Sequence, residues 1–66
     1  MIKIALDALG GDYAPDVVID GAIRAVKEAE GKLHIVLCGP QEVVEQGLKK
    51  FGYEGDAISI VDAPEP

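Results

Sequence analysis

Three short apolar segments alternate along this chain with two longer amphipathic segments, and this alternation limits the folds that the chain can adopt. The short segments, residues 2–8, 33–38 and 57–62, are predicted strands. The longer segments, residues 15–30 and 40–51, are predicted helices that each begin at a proline. Because strands joined by helices of this length run parallel with right-handed crossovers, the order β-α-β-α-β predicts an α/β fold containing half of a doubly wound parallel sheet.

The two faces of the strands predict their order. One face is apolar throughout and combines Ile2, Ile4, Leu6, Leu33, Ile35, Leu37, Ile58 and Ile60. The other face is mixed and combines Lys3, Ala5, Asp7, His34, Val36, Cys38, Ser59 and Val61. Order 3-2-1 places both helices on one face, whereas order 2-1-3 would split them, so the one-sided pattern favours 3-2-1. We expect the helices to cover the apolar face, and the mixed face to be covered by further chain or by self-association.

Each predicted helix also has one apolar face. The face of the first helix comprises Val18, Ala22, Ala25, Val26 and Ala29, and that of the second comprises Val43, Val44, Leu48 and Phe51. Gly31 is predicted to end the first helix in the left-handed region, and Gly52 to end the second. Lys49 and Lys50 suit the negative end of the second helix dipole.

Charge and composition exclude several classes of function. The 66 residues include twelve acidic and six basic side chains, a formal net charge of −6, which disfavours binding to nucleic acid. Cys38 is the only cysteine, so no disulfide is available, and a reducing, cytoplasmic setting is expected. No segment approaches the roughly 18 apolar residues of a membrane span, and the first residues do not resemble a signal peptide. We therefore expect Met1 to be the true start of the protein.

The stretch "DALGGDYAP" follows the first predicted strand and is the candidate binding site. Ligands of open parallel sheets bind beyond the carboxyl ends of the strands, where this turn lies. Gly10 and Gly11 would let backbone amides approach an anion or a phosphate-bearing ligand, between the carboxylates of Asp7 and Asp12. The competing interpretation is structural: the two aspartates cap turn amides, and the glycines only permit the bend. A magnesium ion on Asp7 and Asp12 is a less favoured alternative, and no cofactor is expected.

Three other side chains near this edge are weighed in the same way. Cys38 is interpreted as an inert buried thiol rather than a nucleophile, because His34 is about 13 Å away along the strand. His34 is interpreted as a structural histidine with a satisfied hydrogen bond rather than a ligand. Tyr13 is expected to pack on its own loop rather than over a ligand.

The opening stretch resembles a known family. "IKIALDALGGDYAPDVVIDGA" is similar to the start of the bacterial phosphate acyltransferases of phospholipid synthesis, which reads D-A-M-G-G-D-x-x-P. The matching residues are Asp7, Ala8, Leu9, Gly10, Gly11, Asp12 and Pro15, with Leu9 in place of methionine. "LHIVLCG" and "ISIVDAPE" resemble the second and third strands of that family. The chain departs from it at Pro40, where the family has aspartate, and at Asp62, where it often has histidine.

The resemblance implies a reaction and a larger architecture. Inorganic phosphate attacks the thioester of a long-chain acyl group on acyl carrier protein, and acyl phosphate forms for phospholipid synthesis. Residues 1–66 would be the N-terminal α/β segment of a longer enzyme whose fold is similar to isopropylmalate dehydrogenases and phosphotransacetylases. Such enzymes are cytoplasmic homodimers that associate loosely with the inner face of the membrane.

Phosphate attack on a thioester needs a held phosphate and donors for the developing oxyanion, and the glycine amides can supply donors. The predicted strand ends carry no cation, so residues 1–66 alone are expected to be inactive, and the main catalytic residues are expected elsewhere. The alternative from a different class is a non-catalytic α/β ligand-binding or assembly module. An encoded chain several times longer would favour the enzyme.

Overall fold

The computed structural model describes residues 1–11 and 13–63, and it confirms the predicted order β-α-β-α-β. Its elements are β1 (Ile2–Asp7), α1 (Asp16–Glu28), β2 (Leu33–Gly39), α2 (Gln41–Lys50) and β3 (Ile58–Asp62). Pro15 and Pro40 occupy the N-cap positions that immediately precede α1 and α2. Asp12 lies outside the described residues, and so do residues 64–66, where no regular structure was expected.

The three strands form one parallel sheet in the order β1-β2-β3, which confirms the predicted order 3-2-1. The register pairs Ile4 with Ile35, and Ile35 with Ile58. Because side chains in register point to the same face, this pairing collects the apolar residues of all three strands on the side that carries both helices. The α/β half-sheet inferred from the sequence is therefore correct.

The core lies between the sheet and the helices. Its buried members are Ala8, Ile19, Ala22, Ile23, Val26, Ile35, Leu37, Val44 and Ile58. The inner face of α1 includes Ile19 and Ile23, which the predicted apolar face omitted, while Val18 and Ala25 lie at its margin. The buried set is spaced i, i+3, i+4, i+7, the stripe that a helix presents to a sheet.

The close contact between α1 and α2 occurs at a glycine. A Cβ atom at Gly47 would collide with the side chain of Ile19. Gly47 and Val44 are the buried residues of α2, whereas Phe51, which was predicted in its apolar face, is partly exposed. The absence of a side chain at Gly47 therefore sets how closely the two helices approach.

The two helices do not cover the whole apolar face, and this expectation was wrong for β1. Every residue of β1 is exposed, including Ile2 (64% exposed), Ile4 (40%) and Leu6 (36%). The reason is geometric: the crossovers place α1 and α2 over β2 and β3, so the apolar side chains of the edge strand β1 have no helix above them.

The ends of the helices follow the predicted pattern. Gly31 and Gly52 both have positive φ, of 85° and 68°, in the turns that follow α1 and α2. Lys50 lies in the last turn of α2, and its Nζ atom also contacts a carboxylate oxygen of Asp16 in the first turn of α1 at 2.6 Å. In the part of the chain that the structure describes, neither helix has the length and apolar character that crossing a bilayer requires.

Candidate functional site at the carboxyl edge of the sheet

The three strands end together at the edge where ligands of open parallel sheets bind. Asp7 ends β1 opposite Cys38, and Gly39 in β2 lies opposite Asp62 in β3. The pairing continues one residue further, since the amide of Ala8 donates to the carbonyl of Cys38 at 2.8 Å. The carboxylates of Asp7 and Asp62 therefore lie at this edge, one on each side of the end of β2.

Asp7 shapes the turn that follows β1. Its Oδ1 atom accepts a hydrogen bond from the amide of Leu9 at 3.0 Å. Its backbone carbonyl accepts another from the amide of Gly10 at 3.1 Å. This is the turn-capping arrangement that the structural interpretation of Asp7 anticipated. A direct contact between Asp7 and a ligand stays a prediction.

The two glycines of the turn differ in what they can offer a ligand. The amide of Gly10 is engaged within the turn, at the carbonyl of Asp7. The amide of Gly11 donates to none of the residues placed by the structure, and Gly11 is exposed. Gly11 has a φ of 98°, and a Cβ atom there would meet nothing within 4 Å. Glycine is therefore required at position 11 by the backbone conformation rather than by lack of space.

The turn rests on a tightly packed support that the sequence analysis did not identify. Ala8 is fully buried, and a Cβ atom at Gly39 would lie 3.2 Å from the Cβ atom of Ala8 and 3.5 Å from Val44. The absence of a side chain at Gly39 thus allows the turn after β1 to pack closely against β2 and α2. The signal available in the sequence was the glycine that directly follows the second predicted strand.

The carboxylate of Asp62 caps the N-terminus of α2. Its Oδ1 atom accepts a hydrogen bond from the amide of Gln41, the first residue of the helix, at 3.0 Å. Pro40 at the N-cap makes no side-chain cap, so β3 supplies the acceptor that the preceding residue lacks. Asp62, one of the two positions at which the chain departs from the motif it resembles, therefore lies at the positive end of the α2 dipole.

The structure does not bring together the other three side chains considered from the sequence, which are Tyr13, His34 and Cys38. Tyr13 is 78% exposed, so the expectation that it packs on its own loop was wrong. The Nε2 atom of His34 lies 2.7 Å from the hydroxyl oxygen of Ser59, as expected for a histidine with a satisfied hydrogen bond. Cys38 is a free thiol with intermediate exposure, so the expectation that it is buried was wrong, and its inertness stays a prediction. Over residues 1–11 and 13–63, no three His, Cys, Asp or Glu side chains come together as a metal site.

The geometry assigns the candidate residues different positions. Asp7, Gly10 and Gly11 lie together in the turn after β1, whereas Asp12, also predicted to bind, lies outside the described residues. Two basic side chains make ion pairs on the helices instead of at the strand ends: Lys50 with Asp16, and Arg24 with Asp20 at 3.2 Å. The edge can thus offer a backbone amide to an anion, while its side chains are carboxylates.

Comparison with known proteins gives this turn a family context. A family described as "Fatty acid synthesis protein" matches residues 2–65. The chain is 47% identical over 62 residues to a phosphate acyltransferase of Clostridium botulinum, covering 94% of this chain and 18% of that protein. It is 45% identical over 62 residues to one of Clostridium kluyveri, with the same coverage. It is 44% identical over 64 residues to one of Fusobacterium nucleatum, covering 97% of this chain and 19% of that protein.

The similarity covers almost the whole of this chain but a small part of its relatives. The chain spans about a fifth of the length of the phosphate acyltransferases it matches. The match includes β1, the glycine-containing turn and all the elements that support it. The chain belongs to the fatty acid synthesis protein family.

Proposed function

We propose that this chain forms the N-terminal α/β part of an acyltransferase that makes acyl phosphate from long-chain acyl carrier protein and inorganic phosphate. The observation that carries the proposal is the shared name of the relatives, phosphate acyltransferase, over nearly all of this chain. The product would supply phospholipid synthesis.

The reaction can be written without a covalent enzyme intermediate. An oxygen of inorganic phosphate attacks the carbonyl carbon of the thioester, and negative charge develops on the carbonyl oxygen. The C–S bond then breaks, the thiolate of the carrier protein leaves, and the acyl group remains on the phosphate oxygen. The groups that such a reaction needs are donors that hold the phosphate and stabilise the oxyanion.

The contribution of this chain to that reaction is the turn after β1. Gly11 is exposed beyond the strand end, and its amide can donate to an oxygen of phosphate or to the oxyanion. Asp7 holds the turn in shape through Leu9 and Gly10, and so acts as a positioning residue. A donor that the fold already holds in place needs little reorganisation as charge develops.

Other parts of the reaction require residues beyond this chain. The two strand-end carboxylates, Asp7 and Asp62, would repel phosphate unless cations offset them. The net charge of −6 also disfavours an acidic carrier protein, so its docking surface would lie in the remaining length of the relatives. Homodimer formation and loose attachment to the inner face of the membrane belong to the same proposal for the whole enzyme.

The experiment is a chimera in which this chain replaces the matching 62-residue region of the Clostridium botulinum phosphate acyltransferase. The purified chimera is incubated with palmitoyl acyl carrier protein and inorganic phosphate, and acyl phosphate is measured. We expect acyl phosphate from the chimera and none from the 66-residue chain alone. A chimera that is folded but forms no acyl phosphate, or activity in the short chain, would contradict the proposal.

A further inference from the structure

An apolar groove of about 410 Å³ lies between α1 and the uncovered strand β1. Its volume falls within the roughly 300–1,000 Å³ that is usual for small-molecule sites. Each residue that lines it is apolar; Ala22 and Ile35 are buried there, whereas Leu6 and Val17 are exposed. Contiguous apolar surface of this kind marks a binding site in a soluble protein, and here it suits a hydrocarbon.

The groove is elongated and runs along the strand. On the helix side it is lined by Val17, Gly21 and Ala25, which are spaced four residues apart and span about 12 Å at 1.5 Å per residue. On the sheet side it extends from Leu6 to Leu33, which pairs with the first residue of β1, so this wall spans about 13 Å at 3.3 Å per residue. Two parallel apolar walls of equal length fit an extended alkyl chain.

Gly21 keeps the middle of this groove open. It lies between Val17 and Ala25 in the row on α1, and a Cβ atom there would meet nothing within 4 Å. Gly21 itself is exposed. Any side chain larger than that of glycine at this position would extend into the groove and shorten the space open to a ligand.

One end of the groove opens at the candidate site. Leu6 directly precedes Asp7, whose carboxylate and carbonyl shape the turn after β1. Val17 lies in the first turn of α1, and its amide lies 3.4 Å from the carbonyl oxygen of Tyr13, to which it donates, in the loop that follows Gly11. The turn that contains Gly11 therefore connects the two walls at this end.

We propose that the groove binds the alkyl chain of the acyl substrate, with the thioester carbonyl at the turn after β1. This placement rests on the proposed function, because it assigns a position to the acyl group of that reaction. Transfer of the chain from water to the groove favours binding in proportion to the apolar area that it buries. Gly21 is then a specificity-determining residue, because it leaves room for a long chain.

The helices of the sheet leave this groove open. The crossovers place α1 and α2 over β2 and β3. A further parallel strand beside β1 would carry its connecting helix on the mixed face, because the direction of the crossover reverses there while its hand does not. Binding of an alkyl chain is therefore compatible with a wider sheet.

The first test measures chain-length selectivity in the chimera with the Clostridium botulinum protein. Gly21→Leu fills the groove about 6 Å from Val17, at 1.5 Å per residue, with a side chain that favours helix. The rate of acyl phosphate formation from palmitoyl acyl carrier protein should fall at least about tenfold. The rate from butyryl acyl carrier protein, whose short chain ends near Val17, should stay within about twofold.

Lys27→Leu is the matched control, because it adds the same side chain at an exposed position of α1 outside the groove, and both rates should be kept. Two results would overturn the inference. Equal palmitoyl rates in the two variant chimeras would show that the chain lies elsewhere. Equal losses with the palmitoyl and butyryl substrates would show that Gly21→Leu disturbs the turn or the fold instead of shortening the groove.

The second test measures binding and does not depend on acyl transfer. Decanol, an uncharged alkyl chain that the carboxylate of Asp7 does not repel, is titrated into the methyl-labelled chimera. The methyl resonances of Ile4 and Leu6 should shift, whereas those of Ile60 in β3, which lies outside the groove, should not. Gly21→Leu should weaken this binding at least about tenfold.

The two tests separate the groove from the reaction. A chimera that binds decanol at Ile4 and Leu6 but forms no acyl phosphate would support the groove as an alkyl site and contradict the proposed function. An active chimera in which decanol leaves Ile4 and Leu6 unshifted would overturn the inference and leave the proposed function standing, since another segment of the longer protein would then fill the groove.

Discussion

The Asp62 carboxylate, at the end of β3, accepts a hydrogen bond from the backbone amide of Gln41, at the start of α2, with a distance of 3.0 Å. This contact joins the two elements across 21 residues of sequence. It replaces the side-chain cap that Pro40 cannot provide. The last strand thus stabilises the beginning of the helix that precedes it.

Removal of this cap should lower stability by a measurable amount. We expect Asp62→Ala to reduce the free energy of unfolding by about 1 kcal/mol, the usual cost of losing an N-cap acceptor. Asp62→Asn keeps an acceptor oxygen and should lose a smaller part of that stability. Urea denaturation followed by circular dichroism measures both variants. Equal stability of Asp62→Ala and the unmodified chain would show that the contact contributes nothing.

The two glycines inside the helices should respond to alanine in opposite directions. Gly47→Ala places a methyl group against Ile19 and should destabilise the protein by about 1–3 kcal/mol. Gly21→Ala enters open space in α1 and should stabilise it by up to about 1 kcal/mol through helix propensity. Denaturation midpoints of the two variants, measured side by side, distinguish packing from propensity. A stabilising Gly47→Ala would mean that α1 and α2 can separate without loss.

The conformation of Gly11 gives a test of the candidate site that separates stability from activity. In the chimera, Gly11→Ala strains a backbone with a φ of 98° and should displace its amide, so acyl phosphate formation should fall at least about tenfold. Gly31→Ala is the matched control, because Gly31 has a φ of 85° and equally open surroundings after α1. Both variants should lose about 1 kcal/mol of stability. Similar rates in the two chimeras would remove Gly11 from the binding site.

The strand order could be predicted from the sequence because it depends on side chains that alternate locally. Once Ile4, Ile35 and Ile58 were assigned to one face, order 3-2-1 was the arrangement that placed both helices on that face. The inner face of α1 was harder to predict, since apolar residues occupy more than one stripe of that helix. The side chain of Ile19 packs against Gly47 of α2, and this tertiary contact helps to determine which stripe of α1 is buried.

The candidate site was predicted only in its local part. The turn at Asp7 and Gly11 depends on neighbouring residues in the sequence. The positive φ of Gly11 could be expected because glycine adopts such angles without steric cost. The roles of Gly39 and Asp62 depend on the register that sets them opposite each other and on the position of α2. Such contacts between distant residues leave no periodic signal in the sequence, so the sequence alone does not predict them.

The mixed face of the sheet gives a last prediction, on self-association of the 66-residue chain. No helix of the described residues covers this face. Val61 in β3 is 51% exposed there, and Ala5 in β1 is exposed on the same face. We expect dimers or larger assemblies at micromolar concentration, formed through this face, because a bare parallel sheet buries apolar area by pairing. Val61→Lys should shift the equilibrium towards monomer. Val17→Lys, which adds the same charge on the helical side of the sheet, should leave it unchanged.

Sedimentation velocity over a range of concentrations measures all three proteins directly. The pair of lysine variants separates the two uncovered surfaces, because Val61 lies on the mixed face and Val17 lines an apolar groove between α1 and β1 on the helical side. If the unmodified chain sediments as a monomer at every concentration, the mixed face is stable when exposed to solvent, and the prediction is wrong. Dissociation by Val17→Lys and not by Val61→Lys would place the contact in the groove, and would count against this prediction.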